Sequence, residues 1–244
     1  MSNSSANNIT YYDLTHPLNS ATLAWPEDPH YKARKYTNIK EHGYEMHEIS
    51  MSTHTATHID APSHFIHGGR TIDQVPLSTL VGPAVFIDLT KRELRENQEI
   101  TWDDIKSYEA DLKPGVIVVV CTGWYEKWGE DAYYEHPFMA KEVAKKFIDF
   151  GIKVVGVDTL NPDETPSKGD TKGGYGFHKT LLGADGIIIE NLTNTKPLIG
   201  RSNVQISLVP LKLEGIDGSP IRAIAWHPSD PPQNEARDSK CGIM

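Results

Sequence analysis

Short apolar runs separated by polar segments are the main pattern along the chain. Six of them span residues 84–89, 116–121, 154–158, 187–190, 204–209 and 221–226. Apolar runs of about four to eight residues between turn-forming segments are typical of buried strands. The pattern therefore predicts six buried strands.

Two segments between these runs have helical patterns. Thr101 with Asp104 three residues later is a capping-box signature, and it predicts a helix ending near residue 110. Pro137 predicts the start of a second helix, which Gly151 would end. One face of that helix carries Val143, Ala144, Phe147 and Ile148. Strands that alternate with helices favour an α/β fold.

Length and composition indicate one globular domain. The chain has 244 residues, of which 38% are hydrophobic and 23% charged, as in ordinary soluble proteins. We expect a disordered tail over residues 1–9, one domain over residues 10–228 and a flexible tail over residues 229–244. Residues 161–177, rich in Gly, Asp, Lys and Pro, predict a long functional or mobile loop.

The charge and cysteine content narrow the partners and the compartment. A formal net charge of −9 argues against binding to nucleic acid or to anionic membranes. No apolar run approaches the ~20 residues of a membrane-spanning helix, and the polar N-terminus does not resemble a secretion signal. The only cysteines, Cys121 and Cys241, imply no structural disulfide, and Cys121 is predicted to be a buried thiol. We therefore expect a cytoplasmic protein.

Residues 241–244 (CGIM) fit the C-a-a-X prenylation pattern. Gly242 is a poor second residue for that motif, and the preceding residues are not polybasic. Both features disfavour prenylation, and mass spectrometry of the protein from its native cell tests the point.

Candidate chemistry concentrates in residues 51–65, MSTHTATHIDAPSHF. This segment contains His54, His58, Asp60 and His64. Imidazoles and a carboxylate are donors that divalent transition metals prefer. All four positions have the same parity, so an extended segment would direct them to one face. Because a straight strand would separate His54 from His58 by roughly 13 Å, we expect the segment to bend there and to turn at Ala61 and Pro62. The pattern indicates a metal site with its own catalytic base. Solvated loop histidines are the alternative, and we interpret His47 and His67 as ordinary histidines at the surface or beside the site.

His178 and Glu190 form a second candidate pair. Glu190 ends an apolar run, and α/β folds place active-site residues at strand ends. His178 follows the long predicted loop. Taken alone, each also fits a structural role, at a helix start or at a solvated strand end. The sequence contains no G-x-S-x-G, Walker A or G-x-G-x-x-G motif, and we interpret the glycines at 173–176 as loop flexibility.

The segment HTATHIDAPSHF resembles the H-x-G-T-H-x-D-x-P-x-H signature of the cyclase family of metal-dependent hydrolases. That family includes the bacterial-type kynurenine formamidases and the isatin hydrolases. Residues 13–17, 25–29, 122–124, 156–160 and 218–223 also resemble segments of the family, so the resemblance extends over residues 10–226. Two positions depart from it: Ala56 replaces the usual glycine, and Glu27 stands where a small residue is common.

The resemblance implies a swivelling β/β/α domain with a mixed barrel-like sheet, assembled as a homodimer or homotetramer. It assigns His54, His58 and Asp60 as primary metal ligands. Asp60 would bridge to a second ion held by His178 and Glu190. The remaining roles that it implies are His64 as the general acid/base and Trp25 and Phe65 as contacts to a flat aromatic substrate. The ion would be Zn²⁺, with Mn²⁺ as the alternative, at one or two ions per site.

The implied activity is hydrolysis of an aryl formamide such as N-formylkynurenine by metal-activated water, with His64 moving protons. One alternative is an isatin-type lactam hydrolase with a single Mn²⁺. Others are a lyase or dehydratase, or a non-catalytic metal-binding or ligand-binding protein. His64 argues against the non-catalytic alternative, because a structural metal site needs no spare base.

Overall fold

The computed structural model describes residues 9–25, 28–166 and 174–228. Outside these ranges lie residues 1–8 of the predicted N-terminal tail, all of the predicted C-terminal tail with its CGIM motif, Glu27, and residues 167–173 of the predicted loop. The first described residue, Ile9, already belongs to a strand, so regular structure begins within the segment predicted as a tail.

The described residues form thirteen strands. They are β1 (Ile9–Asp13), β2 (Lys32–Thr37), β3 (Met46–Ser50), β4 (His58–Asp60), β5 (Val81–Asp88), β6 (Glu99–Ile100), β7 (Ile117–Cys121), β8 (Phe138–Met139), β9 (Val154–Val157), β10 (Ile187–Glu190), β11 (Gln205–Ser207), β12 (Gly218–Pro220) and β13 (Ile224–Pro228).

Five α-helices accompany the strands. They are α1 (Ile39–His42), α2 (Leu77–Leu80), α3 (Trp102–Ile105), α4 (Lys141–Asp149) and α5 (Gly176–Gly183). Short 3-10 helices cover Pro62–His64, Ile72–Gln74, Lys106–Asp111, Trp124–Lys127, Asp131–Glu135 and Lys196–Leu198. Across the described ranges, no helix has the length and apolar character needed to cross a membrane.

Nine strands form one curled, mixed sheet in the order β1-β13-β11-β5-β7-β9-β10-β4-β12. Strands β5, β7, β9 and β10 are parallel, and antiparallel strands flank them on both sides. Five of the six predicted strands are confirmed as β5, β7, β9, β10 and β11. The prediction for residues 221–226 begins too early, because Ile221 makes an isolated bridge with Pro210 and β13 starts at Ile224.

The central strands are buried on both faces. Along β7, Val119 packs into one hydrophobic core, whereas Val118 and Val120 pack into the other. Phe147 of α4 and Leu181 of α5 cover the second core. Parallel strands covered on both sides read as continuous apolar runs, which is why the sequence pattern identifies them.

The helix predicted after Thr101 is confirmed. It forms as α3 and continues as the 3-10 helix Lys106–Asp111. The backbone N–H of Thr101 donates to Oδ2 of Asp104 at 2.8 Å, as the capping box requires.

The helix predicted to start at Pro137 starts later, so that prediction of its start is wrong. Residues of β8 pair first with β6, and α4 therefore begins at Lys141. Its end agrees with the prediction. Gly151 has a φ of 76°, and its N–H donates to the carbonyl of Ile148 at 2.9 Å.

Candidate metal centre

Strand β4 places two of the predicted ligands side by side. His58 and Asp60 are two residues apart on a strand and therefore share a face. Strand β4 lies between β10 and β12, and its antiparallel register with β10 sets Glu190 opposite His58. The sheet thus brings the carboxylate at the end of β10 next to the ligands of β4.

The chain turns sharply before β4. Ala56 has a φ of 54°, a left-handed conformation that costs an L-residue roughly 1–2 kcal/mol and suits glycine, the usual residue of the cyclase signature. The turn folds His54 onto Asp60, with 2.8 Å between Nδ1 and Oδ1. The bend expected between His54 and His58 is therefore confirmed at Ala56, and the extended part of the segment is residues 58–60.

The 3-10 helix Pro62–His64, which begins at the predicted turn, places His64 next to His54. The centroid of its ring lies 4.0 Å from that of His54 and 4.7 Å from that of Phe65. Its Nδ1 donates to Oδ2 of Asp217 at 3.1 Å. The nitrogen that faces Asp217 is therefore Nδ1, and Nε2 remains for other chemistry.

His178 reaches the centre from the first turn of α5. Its Nε2 lies 3.0 Å from Oε1 of Glu190 and 3.5 Å from Oδ2 of Asp60. Its Nδ1 donates to Oδ2 of Asp163 at 2.7 Å. Asp163 also accepts the backbone N–H groups of Phe177 and His178. One carboxylate thus holds both the start of α5 and the His178 ring.

The structure brings all six predicted ligand and base residues together. Nε2 of His58 lies 3.2 Å from Oδ1 of Asp60 and 3.3 Å from Oε2 of Glu190. Candidate ligand atoms within 4.8 Å of one another form two groups: His54, Asp60 and His64, and His58, Asp60 and Glu190. Asp60 belongs to both groups, which suits a carboxylate shared by two ions. The first group contains His64, which the sequence assigns as the acid/base.

Buried atoms at the centre fit a metal ion. Nε2 of His58, Oδ2 of Asp60 and Oε1 of Glu190 are buried and have no aligned hydrogen-bond partner in the described part of the chain. Buried polar atoms without partners are costly, so native proteins rarely leave them unsatisfied. Imidazole nitrogens and carboxylate oxygens are the donors that zinc and manganese take. The roles of these residues as ligands stay a prediction that metal analysis tests.

The electrostatics of the centre favour cations. Burial opposes protonation of His54 and His58, but the neighbouring carboxylates outweigh it and raise the pKa of His54 to about 9 and that of His58 to about 10. Burial alone would raise the pKa of Asp60, yet these two imidazoles hold it well below its usual range. Metal binding here would have to displace the histidine protons, so affinity should increase with pH.

One cavity of about 440 Å³ lies over the centre. Trp25 and Phe65, predicted as substrate contacts, both line it, and so do Leu160 and Tyr175. The Phe65 ring centroid lies 5.1 Å from that of Tyr175. Small-molecule sites combine such apolar walls with a few convergent polar groups.

Comparison with known proteins identifies the family. The family described as "Putative cyclase" matches residues 12–164, more than half of the chain. The chain belongs to the cyclase family.

The relatives align with nearly the whole chain. Kynurenine formamidase from Sphingopyxis alaskensis is 28% identical over 216 residues, which cover 87% of the chain and 96% of the relative. Isatin hydrolase A from Labrenzia aggregata has a TM-score of 0.80 at 26% identity, covering 91% and 94% of the two chains. A structure described as a potential metal-dependent hydrolase with cyclase activity is 32% identical, with a TM-score of 0.68 and coverage of 92% and 100%.

The sequence patterns do not identify the residues that hold the predicted ligands in place. Asp163 and Asp217 each accept hydrogen bonds from imidazoles of the centre. Asn191 donates to the carbonyl of Ala56 at 3.0 Å, and the same carbonyl accepts from Nδ1 of His58 at 2.8 Å. For two of these residues the sequence offers only their position as a sign of a role. Asp217 directly precedes the family segment at 218–223, and Asp163 lies in the long predicted loop.

A buried histidine outside the metal centre, His136, should make stability depend on pH. Nδ1 of His136 donates to the carbonyl of Pro137 at 2.9 Å, and its Nε2 accepts from Thr165 at 2.8 Å. Burial lowers the pKa of His136 from 6.5 to about 4. Between these pH values the unfolded chain binds more protons than the native one, so the free energy of unfolding falls as the pH drops through that window.

Lowering the pH from 7.5 to 5.5 should therefore cost roughly 1.4 kcal/mol through His136. Urea unfolding at both pH values measures the loss. The His136→Gln variant, which has no group that titrates there, should lose less stability than the wild type by about that amount. Equal losses in the two proteins would show that His136 is not held neutral.

Proposed function

We propose that this enzyme hydrolyses the formamide of N-formylkynurenine or of a closely related aryl formamide. The family and its relatives make the chain a hydrolase that acts on amide C–N bonds. The observation that carries the choice of substrate is the pairing of the His58–Asp60–Glu190 cluster with an aromatic-lined cavity directly above it. The formamidase relative supports an open-chain formamide.

The ligand set proposed for the metal is His54, His58 and Asp60, with Asp60, His178 and Glu190 at a second ion. Nitrogen and oxygen donors without thiolate favour Zn²⁺, with Mn²⁺ as the alternative. The chemistry that a bound divalent ion supplies is polarisation of the formyl carbonyl and a lower pKa for water.

His64 is proposed to move the proton. Because Nδ1 of His64 donates to Asp217, its Nε2 is the basic nitrogen and can take a proton from the attacking water. Water adds to the formyl carbon, the C–N bond breaks, and His64 returns the proton to the departing aryl nitrogen. The products are an aromatic amine and formic acid, which at neutral pH releases its proton to solvent and becomes formate.

The cavity walls support a flat substrate. Trp25 packs with Trp124 and Tyr133 in one aromatic cluster, and Phe65 lines the cavity from another side. Aromatic rings bind aryl groups through apolar burial and ring stacking. We propose that Trp25 and Phe65 hold the aryl ring while the formyl group reaches the metal ligands.

A substrate panel tests the proposal. Zinc-loaded protein should hydrolyse N-formylkynurenine and other aryl formamides, read as loss of substrate absorbance, and a chelator should stop the reaction. A cyclic aryl amide such as isatin is the second candidate, because the fold matches isatin hydrolase A. Faster turnover of isatin would favour that candidate, and turnover of neither class would refute both.

We also propose a homodimer or homotetramer. The β2–β3 hairpin carries exposed Tyr36, Met46 and Ile49, with exposed Ile39 and Tyr44 in its connection. Two-stranded hairpins are marginally stable alone, and exposed apolar patches mark interaction surfaces. A second copy of the chain is the proposed occupant. Light scattering after size-exclusion chromatography should give at least twice the 27.2 kDa chain mass, and a monomer would refute the proposal.

A further inference from the structure

A single carboxylate oxygen touches both a predicted ligand and the predicted base. Oδ2 of Asp217 lies 2.9 Å from Nε2 of His54 and 3.1 Å from Nδ1 of His64. A carboxylate can only accept hydrogen bonds, so each of these nitrogens must carry its proton. The two imidazoles are therefore held through different nitrogens by the same atom.

The two contacts have different consequences. At His54, Nδ1 faces Oδ1 of Asp60 at 2.8 Å and by the same rule carries a proton until a metal ion displaces it, whereas Nε2 would keep its proton toward Asp217. At His64, the proton on Nδ1 leaves Nε2 as the basic nitrogen. Reversing either tautomer would direct a proton where a ligand lone pair or a base is needed.

The other two imidazoles have partners of their own. Nδ1 of His58 donates to the carbonyl of Ala56, and Nδ1 of His178 donates to Asp163. Each imidazole of the centre thus has one nitrogen on an acceptor outside the group of predicted ligands. The second nitrogens of His54, His58 and His178 face Asp60 or Glu190. Such partners orient metal-binding histidines and fix their tautomers. Asp217 fills this place for His54 and His64.

The backbone around Asp217 is built closely against His54. Thr53 donates to Oδ1 of Asp217 at 3.2 Å, and the N–H of Ala61 donates to the Asp217 carbonyl at 2.9 Å. At Gly218, a Cβ atom would lie 2.9 Å from Cε1 of His54 and 2.8 Å from the carbonyl oxygen of Ile59. Only a residue without a side chain lets β12 approach the His54 ring this closely.

We propose that Asp217 is a positioning residue that fixes His54 as an Nδ1 ligand and His64 as an Nε2 base. The catalytic part of this inference rests on the proposed hydrolase function. The tautomer assignment rests on the contacts alone. Asp217 itself touches neither substrate nor metal in this proposal.

The test uses zinc-loaded, full-length protein labelled with ¹⁵N histidine, at pH 8.5, where ordinary imidazoles are neutral. Long-range ¹H–¹⁵N spectra should show His64 protonated at Nδ1 in the wild type. In Asp217→Ala, His64 should lose that tautomer preference, and zinc affinity should fall about 10–100-fold. Turnover of the aryl formamide should fall about 10–100-fold in kcat, with KM within about threefold.

Two further variants complete the test. Asp217→Asn keeps one acceptor oxygen, so relative to Asp217→Ala it should restore part of the His64 tautomer preference and part of kcat. If the alanine variant does not fold, the asparagine variant tests the inference. Asp73→Asn is the matched control. Asp73 accepts from the backbone N–H of Gly215, which lies on the same loop as Asp217, so this variant changes a carboxylate beside that loop and should behave as wild type.

An unchanged His64 tautomer in a folded Asp217 variant, together with wild-type kcat, would overturn the inference. Absence of aryl formamide hydrolysis in the wild type would refute the proposed function instead. In that case the tautomer and zinc-affinity measurements still decide the role of Asp217.

Discussion

Replacing Asp60 with alanine should remove bound metal and hydrolysis together. Oδ1 of Asp60 faces His54 and His58, and Oδ2 faces His178, so its carboxylate is the common neighbour of three imidazoles. Without it, the two candidate ligand groups lose their shared member. Since the metal contributes several kcal/mol to the transition state, we expect activity to fall by at least about 10³-fold.

Metal content per chain, by elemental analysis of dialysed protein, and turnover of N-formylkynurenine measure this effect. Asp60→Asn preserves the side-chain volume and should give the same result, which separates loss of charge from a packing defect. Asp88→Asn is the matched control, because Asp88 is a largely buried carboxylate that accepts from Thr90. A metal-replete, active Asp60→Ala protein would exclude Asp60 as a ligand.

Replacing His64 with glutamine should separate metal binding from catalysis. If His64 moves protons, the variant keeps its metal, and kcat falls by about 10²–10⁴-fold. The test distinguishes two possible roles of His64, base and ligand, because His64 also lies in a group of candidate ligands with His54 and Asp60. Loss of metal in proportion to activity would make His64 a ligand and would refute its assignment as the base.

His67→Gln is the matched control for this variant. His67 is an exposed histidine three residues further along the chain and should retain wild-type metal content and turnover. An identical loss in His67→Gln would point to a general defect of the segment.

The sequence predicts the centre of the fold better than its margins. Strands β7 and β9, and β10 up to Glu190, are apolar because both their faces are buried, so their composition identifies them. Strands such as β6 and β8 have two residues each and carry no pattern of their own. The start of α4 was misplaced for this reason, since pairing of β8 takes the residues after Pro137.

The site was predictable where its residues are adjacent in sequence. His58 and Asp60 share a face by strand periodicity alone. Position at a strand end and after a long loop made Glu190 and His178 candidates, and the family resemblance gave them a role as ligands. The span between His54 and His58 predicts a bend between them, but no pattern in the sequence indicates that Ala56 makes it in the left-handed conformation. Asp217 reaches His54 and His64 only through the pairing of β12 with β4, which no local pattern encodes.

The most direct test of the metal-dependent hydrolase is a zinc titration of metal-free protein, with N-formylkynurenine hydrolysis followed at each addition. The two ligand groups that share Asp60 predict no turnover without metal. Activity should then rise with added zinc and level off at no more than two ions per chain. Full turnover by verified metal-free protein would contradict the account.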